Sequence, residues 1–137
     1  MILLDSTACI DFLKGTEVVR QIIEKNKSNL ILTAITNYEI NIGLERTKRK
    51  VSKKRYSELK RSWESFLKNC LLLPIDKLSA EIAAEIYDKL ESEGRIIDDN
   101  DCLIAGCMKK NHITKILTRN QKHFARIPGI EVLDYVP

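Results

Sequence analysis

The sequence contains no Cys-x-x-Cys pair, only two histidines, and no apolar run approaching the ~18 residues needed to cross a bilayer. Its four cysteines, Cys9, Cys70, Cys102 and Cys107, stand apart within apolar stretches. That argues against zinc knuckles and against a disulfide framework, and leaves reduced, buried thiols as the expectation. The N-terminal Met-Ile-Leu-Leu-Asp has neither the basic stretch nor the long apolar core of a signal peptide. No internal repeat, low-complexity tract or linker interrupts the chain. A single domain over residues 1–137, soluble, cytoplasmic and without a membrane partner, is expected.

What is present is ordinary in bulk and uneven in detail. The chain is 44% hydrophobic and 31% charged, enough to bury a core at 137 residues. The net charge is +4, but nine basic residues and one acid fall between Arg46 and Arg61. Arg46, Lys48, Arg49, Lys50, Lys53 and Lys54 open that run, while acids concentrate from Asp76 to Asp101. A basic segment on a chain with a separate acidic region suits a polyanion met through a metal ion. A solvated helical hairpin is the bland alternative for the same run.

Short apolar runs alternate with helical patterns, which predicts α/β architecture with a mostly parallel sheet. Strands are expected at Ile2–Leu4, Leu30–Ile35, Leu71–Leu73, Lys115–Thr118 and, as an edge, Glu131–Leu133. Helices are expected after Ser6 or Thr7, from Glu17 to Lys25, after Thr36 or Asn37, through Tyr56 to Leu67, from Ser79 to Glu93, and from Asp98 or Asp99 to Asn111. Gly15 and Gly94 should end two of them.

Three acids break this apolar patterning. Asp5 ends the run Ile2-Leu3-Leu4. Glu39 shares a helical stripe with Ile35 and Ile42, and Asp101 shares one with Ile97, Ile104, Ala105 and Met108. Each has a structural reading alone: a helix cap for Asp5, the rim of a stripe for Glu39, a first-turn acid for Asp101. Together they point inward, and converging anions about 4 Å apart cost on the order of 4 kcal/mol at an effective dielectric near 20. Desolvation adds roughly several kcal/mol for each. A divalent cation removes both penalties. Ligands lie beyond the carboxyl ends of the strands in open α/β sheets, and Asp5, the Glu39 helix and Asn120 all follow strands. Carboxylate and amide oxygens, without paired His or Cys, suit Mg²⁺ or Mn²⁺ rather than zinc.

The segments Leu4-Asp5-Ser6, Thr36-Asn37-Tyr38-Glu39-Ile40, Asn100-Asp101-Cys102-Leu103-Ile104-Ala105 and Leu117-Thr118-Arg119-Asn120 resemble the signature blocks of PIN-domain ribonucleases. The tail His123-Phe124 with Ile127-Pro128-Gly129 is similar to the VapC-type toxins of that family. The resemblance implies a PIN-like α/β/α fold, with a central, mostly parallel sheet flanked by helices. It implies an acidic triad of Asp5, Glu39 and Asp101, with Asp5 and Asp101 as the principal metal ligands and Glu39 orienting water or a second ion. Asn120 matches a fourth position occupied by Asp or Asn, Thr118 a nearby hydroxyl, and Asp98 a variable peripheral position. Hydrolysis of an RNA phosphodiester by water activated at Mg²⁺ or Mn²⁺ would follow, leaving a 5′-phosphate and a 3′-hydroxyl. Neither His112 nor His123 pairs with another histidine, which argues against a metal-free route through a cyclic phosphate. The resemblance further implies a tRNA or other structured RNA substrate, a cognate antitoxin and a homodimer. Tyr38 and Trp63 are expected in the core, and His123 near the C-terminal turn. Two other readings remain: a PIN-like module that binds nucleic acid without catalysis, and a phosphoacceptor domain of the receiver type.

Overall fold

In the computed structural model, which describes residues 1–133 and Tyr135, five short strands form one sheet: β1 (Ile2–Leu4), β2 (Leu30–Thr33), β3 (Leu71–Leu73), β4 (Lys115–Leu117) and β5 (Glu131–Leu133). Their order is β3-β2-β1-β4-β5, and every pairing is parallel. The helices are α1 (Ser6–Leu13), α2 (Glu17–Lys25), α3 (Ala34–Lys48), α4 (Lys53–Leu67), α5 (Lys77–Ser92), α6 (Asp99–Lys110) and α7 (Gln121–Phe124). None of them is long and apolar enough to cross a membrane.

Side chains alternate across a strand, so a sheet this apolar must be covered twice. Ile2, Leu4, Leu30, Leu32 and Leu117 pack with Ala8 and Cys9 of α1, Val19 and Ile23 of α2, Ile40 and Leu44 of α3, and Trp63 and Phe66 of α4. Leu3, Ile31 and Ile116 face the other way, onto Ala83 and Leu90 of α5, Ile104, Ala105 and Met108 of α6, and Phe124 of α7. The result is three layers, helices on both sides of the sheet. The strand order also differs from the 2-1-3-4-5 order of receiver-type folds, which removes the phosphoacceptor reading.

Several boundaries correct the expectations. Helix α1 is capped by Asp5, not Ser6 or Thr7, because its carboxylate accepts from the Ala8 N–H. Strand β2 stops at Thr33, whose hydroxyl caps α3 in place of Thr36 or Asn37. Helix α5 starts at Lys77 under an Asp76 cap. These shifts have one cause: a short polar side chain after a strand competes for the orphan N–H groups of the next turn. Gly15 and Gly94, with φ of +85° and +68°, follow α1 and α5 as expected. The short α7 lies outside the expected set, since four residues carry too little periodicity to register. Tyr38 corrects the core assignment: it is 58% exposed, whereas Trp63 is fully buried and donates from Nε1 to Asn37 Oδ1 at 3.0 Å. Cys9, Cys102 and Cys107 are buried and Cys70 half-buried, all as free thiols.

The switch in strand order falls between β1 and β4. The chain builds outward on one side through β2 to β3, then crosses to β4 and β5. Diverging connections leave a crevice at the carboxyl ends of the two central strands, where Asp5 and Thr118 stand. Helix α6 is held against α5 by an unusually close approach at Gly106, where a Cβ would sit 2.3 Å from the Ser79 carbonyl oxygen and 2.8 Å from Ala83 Cβ. Gly106→Ala should therefore destabilise the fold by about 1–3 kcal/mol through overpacking. Gly43→Ala, in α3 with nothing within 4 Å of its Cβ position, should stabilise it by about 0.5–1 kcal/mol. Urea denaturation of both variants tests the pair; equal midpoints would refute the close packing.

Candidate metal centre at the strand switch

Asp5 is only 1% exposed, at the junction of β1 and α1. Its Oδ1 accepts from the Ala8 N–H at 3.1 Å and from the Thr7 hydroxyl at 2.7 Å, and its Oδ2 accepts from the Thr118 hydroxyl. A carboxylate offers about four lone-pair sites, so three donors leave capacity for one more partner. Burial pushes the Asp5 carboxyl above its ordinary range; the three hydrogen bonds oppose the shift, and the charge of Asp101 adds to it.

The loop after β4 is fastened to α1 from several directions. The Arg119 N–H donates to Thr7 Oγ1 at 2.9 Å, and the Asn120 N–H to Thr118 Oγ1 at 2.8 Å. The Arg119 Nε lies 2.8 Å from Asp11 Oδ2, an oxygen that also accepts from the Tyr135 hydroxyl at 2.8 Å. This lattice fixes where Thr118 and Asn120 stand relative to Asp5.

Asp101 lies in the first turn of α6 and is 6% exposed. Its Oδ2 is 2.7 Å from His123 Nδ1. Burial raises its pKa, the His123 contact opposes this, and Asp98 reinforces the rise. Glu39 is half-buried on α3, hydrogen-bonded by the side chains of Asn100 and Ser6. Burial lifts its pKa first, with further contributions from Asp101 and Asp5. The charge of Asp101 thus reaches both Asp5 and Glu39, and that of Asp5 reaches Glu39.

An open cleft of about 490 Å³ is lined by Ser6, Glu39, Ile97, Asp98, Asp99, Asn100, Asp101 and Asn120. Asp98, exposed at the N-cap position of α6, joins Asp101 and His123 in a group whose donor atoms lie within 4.8 Å of one another. The donor set is carboxylates and an amide, with one imidazole at its edge. That chemistry fits a hard divalent cation in a partly hydrated site. Glu39, Asp98, Asp101 and Asn120 line the cleft and would face a cation there, whereas Asp5, expected as a principal ligand, is not among its lining residues.

Ser6 and Asn100 line the cleft and His123 contacts Asp101, and no periodicity or spacing in the sequence marks them for it. His123 is expected near the C-terminal turn, but α7 turns it back onto Asp101, anchored by the fully buried Phe124. The basic residues are not part of the acidic cleft. Arg46, Lys48, Arg49, Lys50, Lys53 and Lys54 lie at the end of α3, in the turn after it and at the start of α4, all six exposed. Arg46, Lys48 and Arg49 line a second open cleft of about 440 Å³ with Tyr38, Asn41, Ile42 and Glu45. Tyr38 precedes Glu39 on α3, so one helix serves both clefts.

The raised Asp5 pKa has a measurable consequence. The folded state holds the proton more tightly than the unfolded one, so the penalty is absent below the ordinary value of 3.8 and grows as pH rises through the higher folded value. Asp5→Asn keeps a capping side chain and removes the charge. In EDTA at pH 7 it should melt above the wild type, by roughly 2–8 °C for each kcal/mol relieved, with the gap closing toward pH 4. Thermal melts across that pH range test this; a gap independent of pH would refute it.

Comparison with known proteins places this geometry in a family. The family profile described as "PIN domain" matches residues 2–130. The chain is 27% identical over 134 residues to the "tRNA(fMet)-specific endonuclease VapC" of Salmonella typhimurium, covering 97% of this chain and 96% of that protein. Among solved structures it resembles FitAcB from Neisseria gonorrhoeae, with a TM-score of 0.84 at 26% identity over 98% of this chain and 97% of that one. It also shares its fold with VapBC2 from Rickettsia felis bound to promoter DNA, at a TM-score of 0.84 and 24% identity over 99% and 100% of the two chains. With a family match that runs from β1 through β4 as far as Ile130 and an acidic cleft at the switch point, the chain belongs to the PIN domain family.

Proposed function

We propose that this PIN-domain protein is a VapC-type endoribonuclease, the toxin of a toxin–antitoxin pair, acting as a single domain over residues 1–137 in the cytoplasm. The observation that supports the reading is electrostatic: Asp5, Glu39 and Asp101 each have a pKa raised by burial and by a neighbouring acid, with Asp101 acting on both Asp5 and Glu39. Retention of all three speaks against a non-catalytic binding module. Asn120 supplies an amide oxygen in place of a fourth charge, which lowers the expected metal affinity without removing the site.

Mg²⁺ or Mn²⁺ bound there would lower the pKa of water and offset charge on the phosphate in the transition state. The chain's own residues do the rest. Asp5 accepts from Thr7, Thr118 and the Ala8 N–H, which fix the position of its carboxylate. Glu39, half-buried and raised in pKa, would accept a proton from the attacking water. Asn100 and Ser6 hold its carboxylate toward the cleft they line. In-line attack by that water would break the P–O3′ bond and leave a 5′-phosphate and a 3′-hydroxyl, the departing oxygen taking its proton from solvent.

The basic residues from Arg46 to Lys54 would meet the RNA backbone electrostatically, giving affinity rather than sequence selection. The name of the Salmonella relative supports tRNA as the substrate class. The neighbouring structures of VapBC from Rickettsia felis and Salmonella typhimurium support a cognate antitoxin as partner. A homodimer is part of the same proposal.

Asp5→Asn or Asp101→Asn should each lower cleavage of a tRNA pool in Mg²⁺ or Mn²⁺ by about 100-fold or more, the loss expected when several kcal/mol of charge stabilisation disappears. Wild-type cleavage that persists undiminished in EDTA would end the metal-dependent reading. For the basic surface, the informative background is Asp101→Asn, which should bind RNA without cutting it. Replacing Lys53 or Lys54 by Gln should there reduce the slope of log affinity against log salt by about 0.7–0.9 for each phosphate no longer neutralised. An unchanged slope for both would remove them from the interface.

A further inference from the structure

His123 places an imidazole at the edge of the acidic cleft, and the mechanism above does not use it. Its Nδ1 lies 2.7 Å from Asp101 Oδ2, with the Asp101 side chain 8% exposed and the His123 side chain 31% exposed. An ionised carboxylate only accepts, so at this distance the nitrogen is the donor. A hydrogen bond to a charged acceptor is among the stronger ones in a protein, and here it is sheltered from water. The imidazole is also well anchored. The neighbouring Phe124 is fully buried, and the His123 N–H donates to the Asn120 carbonyl at 3.1 Å.

Asp101 by itself has a roughly two-fold rotor at its carboxylate, and the nearby Asp98 disfavours its ionised form. One fixed donor removes that freedom. We infer that His123 is a positioning residue, holding one oxygen of Asp101 through Nδ1–H and leaving the other for the cation. Outer donors of this kind orient metal-binding side chains, and their loss typically costs about 10–100-fold in metal affinity. A nitrogen that gives its proton to a carboxylate has no lone pair for a metal at that atom, which separates this role from direct ligation. The inference rests on the proposed role of Asp101 as a metal ligand.

The test is Mn²⁺ binding by calorimetry, without RNA, to the wild type and to His123→Phe, His123→Asn and Asp101→Asn. Circular dichroism and melting in EDTA establish that each variant is folded. His123→Phe keeps an aromatic ring and removes the donor, so Mn²⁺ affinity should fall about 10–100-fold. His123→Asn returns an N–H near the same place and should recover most of the loss. Wild-type affinity in His123→Phe overturns the inference, as does a loss that His123→Asn leaves unrelieved. Electron spin-echo spectroscopy of the wild-type Mn²⁺ complex needs no variant: an absence of directly bound nitrogen agrees with positioning, whereas a strong nitrogen coupling makes His123 a ligand and overturns it. Loss of Mn²⁺ binding in Asp101→Asn shows that the underlying metal reading stands. If Asp101→Asn binds Mn²⁺ as the wild type does, that reading fails and the inference falls with it.

Discussion

The structure depends on the tolerated proximity of like charges. Asp5, Glu39 and Asp101 are brought within electrostatic reach of one another, and burial raises the cost of ionising each. A fold does not keep such an arrangement for stability's sake. Replacing buried charges by apolar groups of similar shape is commonly neutral or stabilising. The rest of the molecule can be understood as a frame that makes this arrangement possible: a parallel sheet covered on both faces, with a crevice where its connections diverge.

The frame supplies its donors economically. Residues 118–123, a six-residue stretch after β4, contribute the Thr118 hydroxyl to Asp5, the Asn120 side chain to the cleft and the His123 nitrogen to Asp101. The same stretch is tied back to α1 through Arg119, Thr7 and Asp11. Two carboxylates from distant parts of the chain are therefore oriented by one segment. Movement of that segment would disturb both at once, so its fastening to Asp11 and Tyr135 matters to the site although neither residue lines the cleft. The layer on the far side has a comparable constraint, because α6 delivers Asp101 only if Gly106 lets it approach α5.

Charge is divided between surfaces by helix α3. Its first half carries Glu39 into the acidic cleft, and its last turns carry Arg46, Lys48 and Arg49 into a neighbouring one with Tyr38. Under the proposed function, a polyanion attracted to the basic end would meet the helix that holds a proposed catalytic acid. Acids alone would repel such a substrate, and bases alone would hold it without cutting. Their separation by a few helical turns is consistent with both functions on one face.

Much of this was legible in the order of residues. All five strands and six of the helices follow from apolar runs and helical periodicity. Acids in apolar stripes marked Asp5, Glu39 and Asp101, because a buried charge without purpose is costly. The helix starts differ from expectation by one to four residues, since Asp5, Thr33 and Asp76 compete with equally plausible neighbours for the same N–H groups. Tyr38 reads as core in the linear chain because an aromatic ring does not say which way it faces, and the fold leaves it open. What the linear chain determined by itself is the set of elements and the presence of charges that need a partner. What only tertiary structure decided is which partners they have. Thr118 and Asp5 are 113 positions apart, and His123 and Asp101 are 22 apart with no shared periodicity. Hydrogen bonds act over about 3 Å and carry no trace along the backbone, so such pairings exist only once the sheet has brought their strands and helices together.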